Sequence, residues 1–240
     1  MNVRSILGGA ALCLAFSATS AWAQYGTLRG KVVDDKGQAT VDSPEARKGL
    51  QMMADHYKNG DIPKQAITFQ EEQGRVAFEA GNLLFHRNWP YVYSLASTEA
   101  SSKVKGKFAV APLPGVDGPG ASTLGGHSEA ISVYSKYKAT ALDFLKFIEQ
   151  DEQQKFFMEK GSLAPVVESI YTDEALVKKA PYLPTLLTSI QNAVPRPVTP
   201  FYPAVTKAIQ DNSYAAMKGE KSVDQAVKDM QSAIQSAGQG

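Results

Sequence analysis

A glycine divides the stretch from Phe69 to Tyr93 into two parts that cannot share one secondary structure. Before it, Val76, Ala77 and Ala80 recur at helical spacing, and Gly81 stands where a left-handed C-terminal cap belongs, so the pattern predicts a helix that stops there. After it, Leu83-Leu84-Phe85 predicts a short buried strand, followed by an aromatic-rich turn with Trp89, Tyr91 and Tyr93 around Pro90. This arrangement puts the rings just beyond the carboxyl end of a strand, the edge at which open α/β sheets hold ligands. Three aromatics beside a proline can also simply plug a core.

The order helix, glycine, short strand and Asn88-Trp89-Pro90-Tyr91 resembles the second-lobe ligand loop of the extracellular solute-binding proteins that feed ABC sugar importers, family 1, of the maltose- and trehalose-binding type. The resemblance implies an α/β, periplasmic-binding-protein type II fold. It also implies that Tyr91, with its neighbour Trp89, stacks on a sugar ring. The physics is sound: the axial C–H face of a pyranose is apolar and packs on an aromatic, while its hydroxyls need polar partners nearby.

At 240 residues the chain can form one large domain or two small ones with a sizeable core. Of 25 basic residues only Arg4 lies in the first 23, which hold no acid, so the remainder balances at 24 against 24. Without a basic footprint, nucleic acid is not an expected partner.

Residues 1–23 read as a signal peptide. Arg4 precedes an apolar run from Ile6 to Phe16, and Ala21-Trp22-Ala23 before Gln24 has the small-x-small form of a cleavage site. The run is too short to span a membrane. Cleavage after Ala23 would export the protein to the periplasm and remove Cys13, the single cysteine. A mature chain without cysteine has no disulfide and no thiol nucleophile.

From Gln24 the chain leads through an expected strand at Lys31-Val32-Val33 and the turn Asp34-Asp35-Lys36-Gly37 into a helix with Ser43 as N-cap and Pro44 in its first turn. Leu50, Met53, Ala54 and Tyr57 form its apolar stripe, and Asn59-Gly60 ends it. This resembles the middle of the family's second lobe. The resemblance therefore implies a truncated chain, since a whole first lobe and the entry to the second would precede this point.

A second short strand is predicted at Lys107-Phe108-Ala109-Val110-Ala111, ending in Pro112-Leu113-Pro114-Gly115. In the family this is a crossing between lobes. It is followed by a Gly-Gly loop and a strand, matched here by Thr123-Leu124-Gly125-Gly126-His127 and Ser128 to Val133. Glycines there let backbone N–H groups approach a ligand, although an ordinary turn would need them too. Gly125, Gly126 and His127 are thus candidate sugar contacts. Family members commonly carry an aromatic where this chain has His127, which can still stack or hydrogen-bond.

Helices are predicted from Ala139 to Gln150 and from Glu152 to Lys160, closed by Gly161. In the family these belong to the first lobe, visited a second time, so their apolar face would lack its usual partner, which favours association or partial disorder. Helices are also predicted at Asp173 to Lys179, Tyr182 to Asn192, Pro203 to Lys218 before Gly219, and Ser222 to Ala237 with a Ser-x-x-Gln capping box. Between them, the four prolines of Val194 to Pro203 rule out regular structure and make a rigid loop carrying Arg196 and Tyr202. It resembles the family's return loop, where an arginine bonds sugar hydroxyls and an aromatic stacks. A solvated surface arginine is the plainer alternative.

Enzymatic readings find little support. Glu71, Glu72, Glu79 and Glu129 show no spacing that selects a glycosidase pair, and Glu71-Glu72 at a helix start suits the macrodipole. His56, His86 and His127 lack metal-ligand spacing. The resemblance therefore implies a periplasmic sugar-binding subunit of an ABC importer, truncated and with impaired binding. Its expected layout is a signal peptide at 1–23, a second-lobe α/β segment at 24–111, a returning first-lobe segment at 112–162 and a helical second-lobe part at 163–240. It would need no cofactor, would not span the membrane, and would have a di- or oligosaccharide and membrane permease subunits as partners. The alternatives are a secreted carbohydrate-binding or interaction protein without a transport role, and an exported glycosidase.

Overall fold

The structure, a computed structural model, describes residue 34 and residues 39–115 and 118–238. The expected signal peptide and the expected strand at Lys31-Val32-Val33 lie outside the described residues.

Three long helices form the main core: α1, Pro44–Asn59; α8, Tyr202–Lys218; and α9, Val223–Ala237. Their ends follow local chemistry. The Ser43 hydroxyl accepts from the Ala46 N–H at 3.1 Å, and Gly60 stops α1 in the left-handed region at φ 88°. Gly219 ends α8 in the same way at φ 74°. Ser222 caps α9 by accepting from the Gln225 N–H at 3.2 Å, but the Gln225 amide donates to Asp229 at 2.7 Å instead of reaching back, so only half of the expected capping box forms.

Leu50 of α1, Val205, Ala208, Ile209 and Ala216 of α8, and Ala226, Val227, Met230 and Ile234 of α9 pack into one cluster with Ala39 and Val41. Burying a side chain such as Leu50 or Met230 contributes about 1.5–3 kcal/mol. Met217 of α8 joins Met53, Tyr57, Ile62 and Ala66, which leads the core through a 3-10 turn at Lys64–Thr68 towards α2, Glu71–Glu79.

A further cluster collects Met158 of α5, Asp151–Gly161, with Ile170, Tyr171, Leu176 of α6, Glu174–Lys179, and Leu183 of α7, Leu183–Gln191. Tyr93 of α3, Tyr91–Thr98, packs against it.

The expected short strands are not formed. Leu83, Leu84 and Phe85 are irregular, with Leu84 81% exposed, and residues 107–111 and 128–133 join no ladder among the described residues. A strand needs a neighbour to accept its backbone hydrogen bonds. Among the described residues, isolated bridges pair Pro114 with Pro119 and Thr123 with Val194. The stripe predicted on α2 is also displaced. Val76 is 54% exposed, and the buried residues are Gly74 and Glu79.

Helix α4, Lys138–Ile148, buries no residue, and Phe144 and Phe147 stand 60% and 49% exposed. A helix apolar on most of its surface is one built to be covered. The unpartnered face expected over both helices of this segment is found on α4, whereas α5 buries Met158 in the cluster described above.

Candidate functional site

The loop before α3 is organised by Asn88. Its side-chain oxygen accepts from the Trp89 N–H at 2.7 Å, which leaves the amide nitrogen to donate to His86 Nε2 at 2.9 Å. The neutral imidazole then carries its proton on Nδ1, an atom that is buried without a partner. His86 also stacks on Phe78, with ring centroids 5.5 Å apart. Burial, helped by the nearby Arg75 charge, pushes His86 down to about 4. Burial likewise lowers Arg87 to about 10.

Helix α3 begins at Tyr91, directly after Pro90, whose helical φ of −57° suits the position and whose missing N–H costs nothing there. Tyr91 and Tyr93 are therefore helical residues instead of turn residues, and they diverge. The Tyr93 ring lies 4.3 Å from that of Tyr182 and 5.4 Å from that of Phe108, so it plugs the core. Tyr91 is half-buried and donates its hydroxyl to Glu72 at 2.7 Å.

Trp89 reaches across to the glycine loop. A β-carbon on Gly125 would sit 2.6 Å from Trp89 Cη2, so only glycine allows this approach. Gly126 faces open space, and His127 beyond it is exposed. The same loop is tied to the proline-rich segment. Leu124 N–H donates to the Val194 carbonyl at 2.9 Å, and Val194 N–H donates to the Ser122 carbonyl at 2.8 Å. Two residues on, the exposed Arg196 carries its guanidinium 5.6 Å from the centre of the half-buried Tyr202 ring.

Two pairs thus form, Trp89 with Gly125 and Arg196 with Tyr202, joined by the backbone of the 122–124 segment. Tyr91 is linked to Trp89 through Pro90. The role of Asn88 as organiser of the loop is not legible in the sequence, where Glu72 reads as a helix-start acid or an unselected glycosidase carboxylate. The spacing of Glu72, Arg75 and Glu79, three and four residues apart on a helix, was the available signal.

Flat rings, a guanidinium fork and an open glycine backbone suit a neutral, hydroxyl-rich ring. Among the described residues, no group of three His, Cys, Asp or Glu side chains is placed to hold a metal ion, and no helix is long and apolar enough to cross a membrane.

Comparison with known proteins gives this geometry a context. The probable ABC transporter-binding protein of Deinococcus radiodurans is 32% identical over 206 residues, which is 84% of this chain and 49% of that protein. The chain thus spans about half the length of this relative. The maltose-bound MalE3 structure from T. maritima superposes with a TM-score of 0.80 at 34% identity, covering 89% of this chain and 56% of that one. A ribitol-bound ABC transporter solute-binding protein from Agrobacterium radiobacter K84 superposes with a TM-score of 0.78 at 22% identity, covering 98% and 64%. At that identity the likeness speaks for the fold alone, which is that of the type II periplasmic binding proteins. The model of the bacterial extracellular solute-binding protein family matches residues 10–185, and the chain belongs to that family of binding proteins.

Proposed function

We propose that the protein is the substrate-binding component of an ABC importer, that it takes a di- or oligosaccharide such as maltose or trehalose, and that it works in the periplasm with membrane permease subunits. The observation that carries this reading is the contact of Trp89 with Gly125 on a loop tied to the Arg196–Tyr202 pair. The sugar would lie against Trp89, Tyr91 and Tyr202, with Arg196 and the Gly125, Gly126 and His127 backbone meeting its hydroxyls. Binding would be non-covalent, without catalysis. The maltose in the T. maritima relative supports the substrate class.

On this reading, residues 24–111 and 163–240 form the second lobe and residues 112–162 the returning part of the first. The residues gathered here line one side of a sugar and would leave its other face to water, so on this reading they bind weakly by themselves. Calorimetry against maltose, trehalose and sucrose tests both points. Weak, saturable binding lost in Trp89→Ala and Arg196→Ala is the expected result. Absence of saturable binding would overturn the sugar reading, and micromolar binding would overturn the impairment.

The bare apolar surface of α4 favours a second reading, that of a secreted interaction protein without a transport role. Growth of a deletion strain on these sugars separates the two.

A further inference from the structure

A chain of charge-assisted hydrogen bonds runs from the interior of the protein to Tyr91. At its inner end Glu79 is 4% exposed, and both of its carboxylate oxygens accept from one terminal nitrogen of Arg75 at 2.8 Å. The backbone carbonyl of Glu79 also accepts from Lys103 N–H at 2.8 Å, which fixes the base of the chain. Arg75 then uses its Nε, at 2.9 Å, and its other terminal nitrogen, at 2.7 Å, to hold one oxygen of Glu72. The second oxygen of Glu72 accepts the Tyr91 hydroxyl at 2.7 Å.

A guanidinium gripped at both edges has little freedom, and it passes that rigidity to the carboxylate it holds. The electrostatics agree. Arg75 and then Tyr91 hold the Glu72 carboxyl below its usual range. Burial, followed by the Glu71 and Glu72 carboxylates, raises the Tyr91 phenol.

We propose that Glu72, aligned by the Arg75–Glu79 pair, is the positioning residue of Tyr91 in the ligand site. This rests on the sugar-binding reading above. Its consequence is chemical as well as geometric. The phenol has one proton, and it is held between carboxylates, donated to Glu72 at 2.7 Å with Glu71 also drawing on it, so towards a ligand the Tyr91 oxygen can only accept. The ring is held at a fixed angle for stacking, and its oxygen selects a ligand hydroxyl that donates.

The competing account makes Glu72 merely a favourable charge at the start of α2. Glu72→Asp separates the two, because it keeps that charge but shortens the side chain out of reach of Tyr91. Glu72→Gln is the companion variant, with folding of each checked by circular dichroism. Tyr91 ionisation is read without any ligand, as the difference between ultraviolet pH titrations of each protein and its Tyr91→Phe counterpart. The expected result is ionisation at lower pH in both variants, with maltose affinity reduced about tenfold, the equivalent of one hydrogen bond to a charged group. Unchanged Tyr91 ionisation in both variants would overturn the proposal, as would full maltose affinity in Glu72→Asp. If the unaltered protein binds none of maltose, trehalose and sucrose, the sugar reading falls, and the titration still decides the role of Glu72.

Discussion

Trp89 and Gly125 are in direct contact, close enough that a β-carbon at 125 would lie 2.6 Å from the far edge of the indole. Residues 36 positions apart in the chain therefore depend on each other's shape. Gly125→Ala must push the indole aside. Because the atom met is the outer end of a side chain, overall stability should change by less than about 1 kcal/mol. The indole environment should change clearly. Trp22 is the only other tryptophan, so in protein cleaved after Ala23 the emission reports Trp89 alone. An unshifted emission spectrum in Gly125→Ala would contradict the contact.

The neutral state of His86 makes the fold sensitive to acid. Its ordinary value near 6.5 is lowered to about 4 in the folded chain, chiefly by burial and then by Arg75. A depressed value means that its contribution is fully present above about pH 6.5 and is lost as pH falls towards 4, up to about 3 kcal/mol. Urea unfolding at a series of pH values should show this decline. Asn88→Asp places a carboxylate beside Nε2 while keeping an acceptor for the Trp89 N–H. It should raise His86 towards its ordinary value and flatten the decline between pH 6.5 and 4.

Burial separates two apolar helices of similar appearance. Leu50 on α1 is 1% exposed, and Leu50→Ala should cost about 2–5 kcal/mol through the cavity it leaves. Phe144 on α4 is 60% exposed, so Phe144→Ser should cost well under 1 kcal/mol. The same change removes apolar surface that favours association. Light scattering should therefore find less concentration-dependent association in the variant, at nearly the same urea midpoint.

The ends of α1 offer a test of local chemistry. Ser43→Ala removes the acceptor of the Ala46 N–H and should cost about 1 kcal/mol. Gly60→Ala forces a β-carbon into a φ of 88° and should cost about 1–2 kcal/mol. Thermal unfolding of the two single variants and the double variant should show additive losses, since the sites lie at opposite ends of the helix.

Helix ends were the most legible part of the chain. Ser43, Gly60, Gly219 and Asp173 mark their helices in the sequence as in the structure, because a cap depends on a residue and its neighbours within one turn. Gly81 takes the expected left-handed conformation at φ 79°. The residues of the candidate site were legible as two motifs, Asn88 to Tyr91 and Arg196 to Tyr202. Their linkage was not, because it runs through hydrogen bonds between Val194 and the 122–124 segment, far apart in sequence.

The expected strands at residues 83–85, 107–111 and 128–133 failed for the same reason, since an apolar run becomes a strand only when another segment pairs with it. Apolarity likewise misplaced the buried face of α2, where Arg75 neutralises Glu79 and makes its burial tolerable while Val76 stays in water.

Except at α3, the amino-acid order alone settled roughly where the helices lie and which short motifs carry aromatic and basic groups, because those are contests between near neighbours. Only the tertiary structure decided that Tyr93 is core while Trp89 meets a glycine and Tyr91 meets a carboxylate. Burial and pairing are properties of contacts between distant segments, and the same aromatic residue serves either purpose according to what the folded chain brings against it.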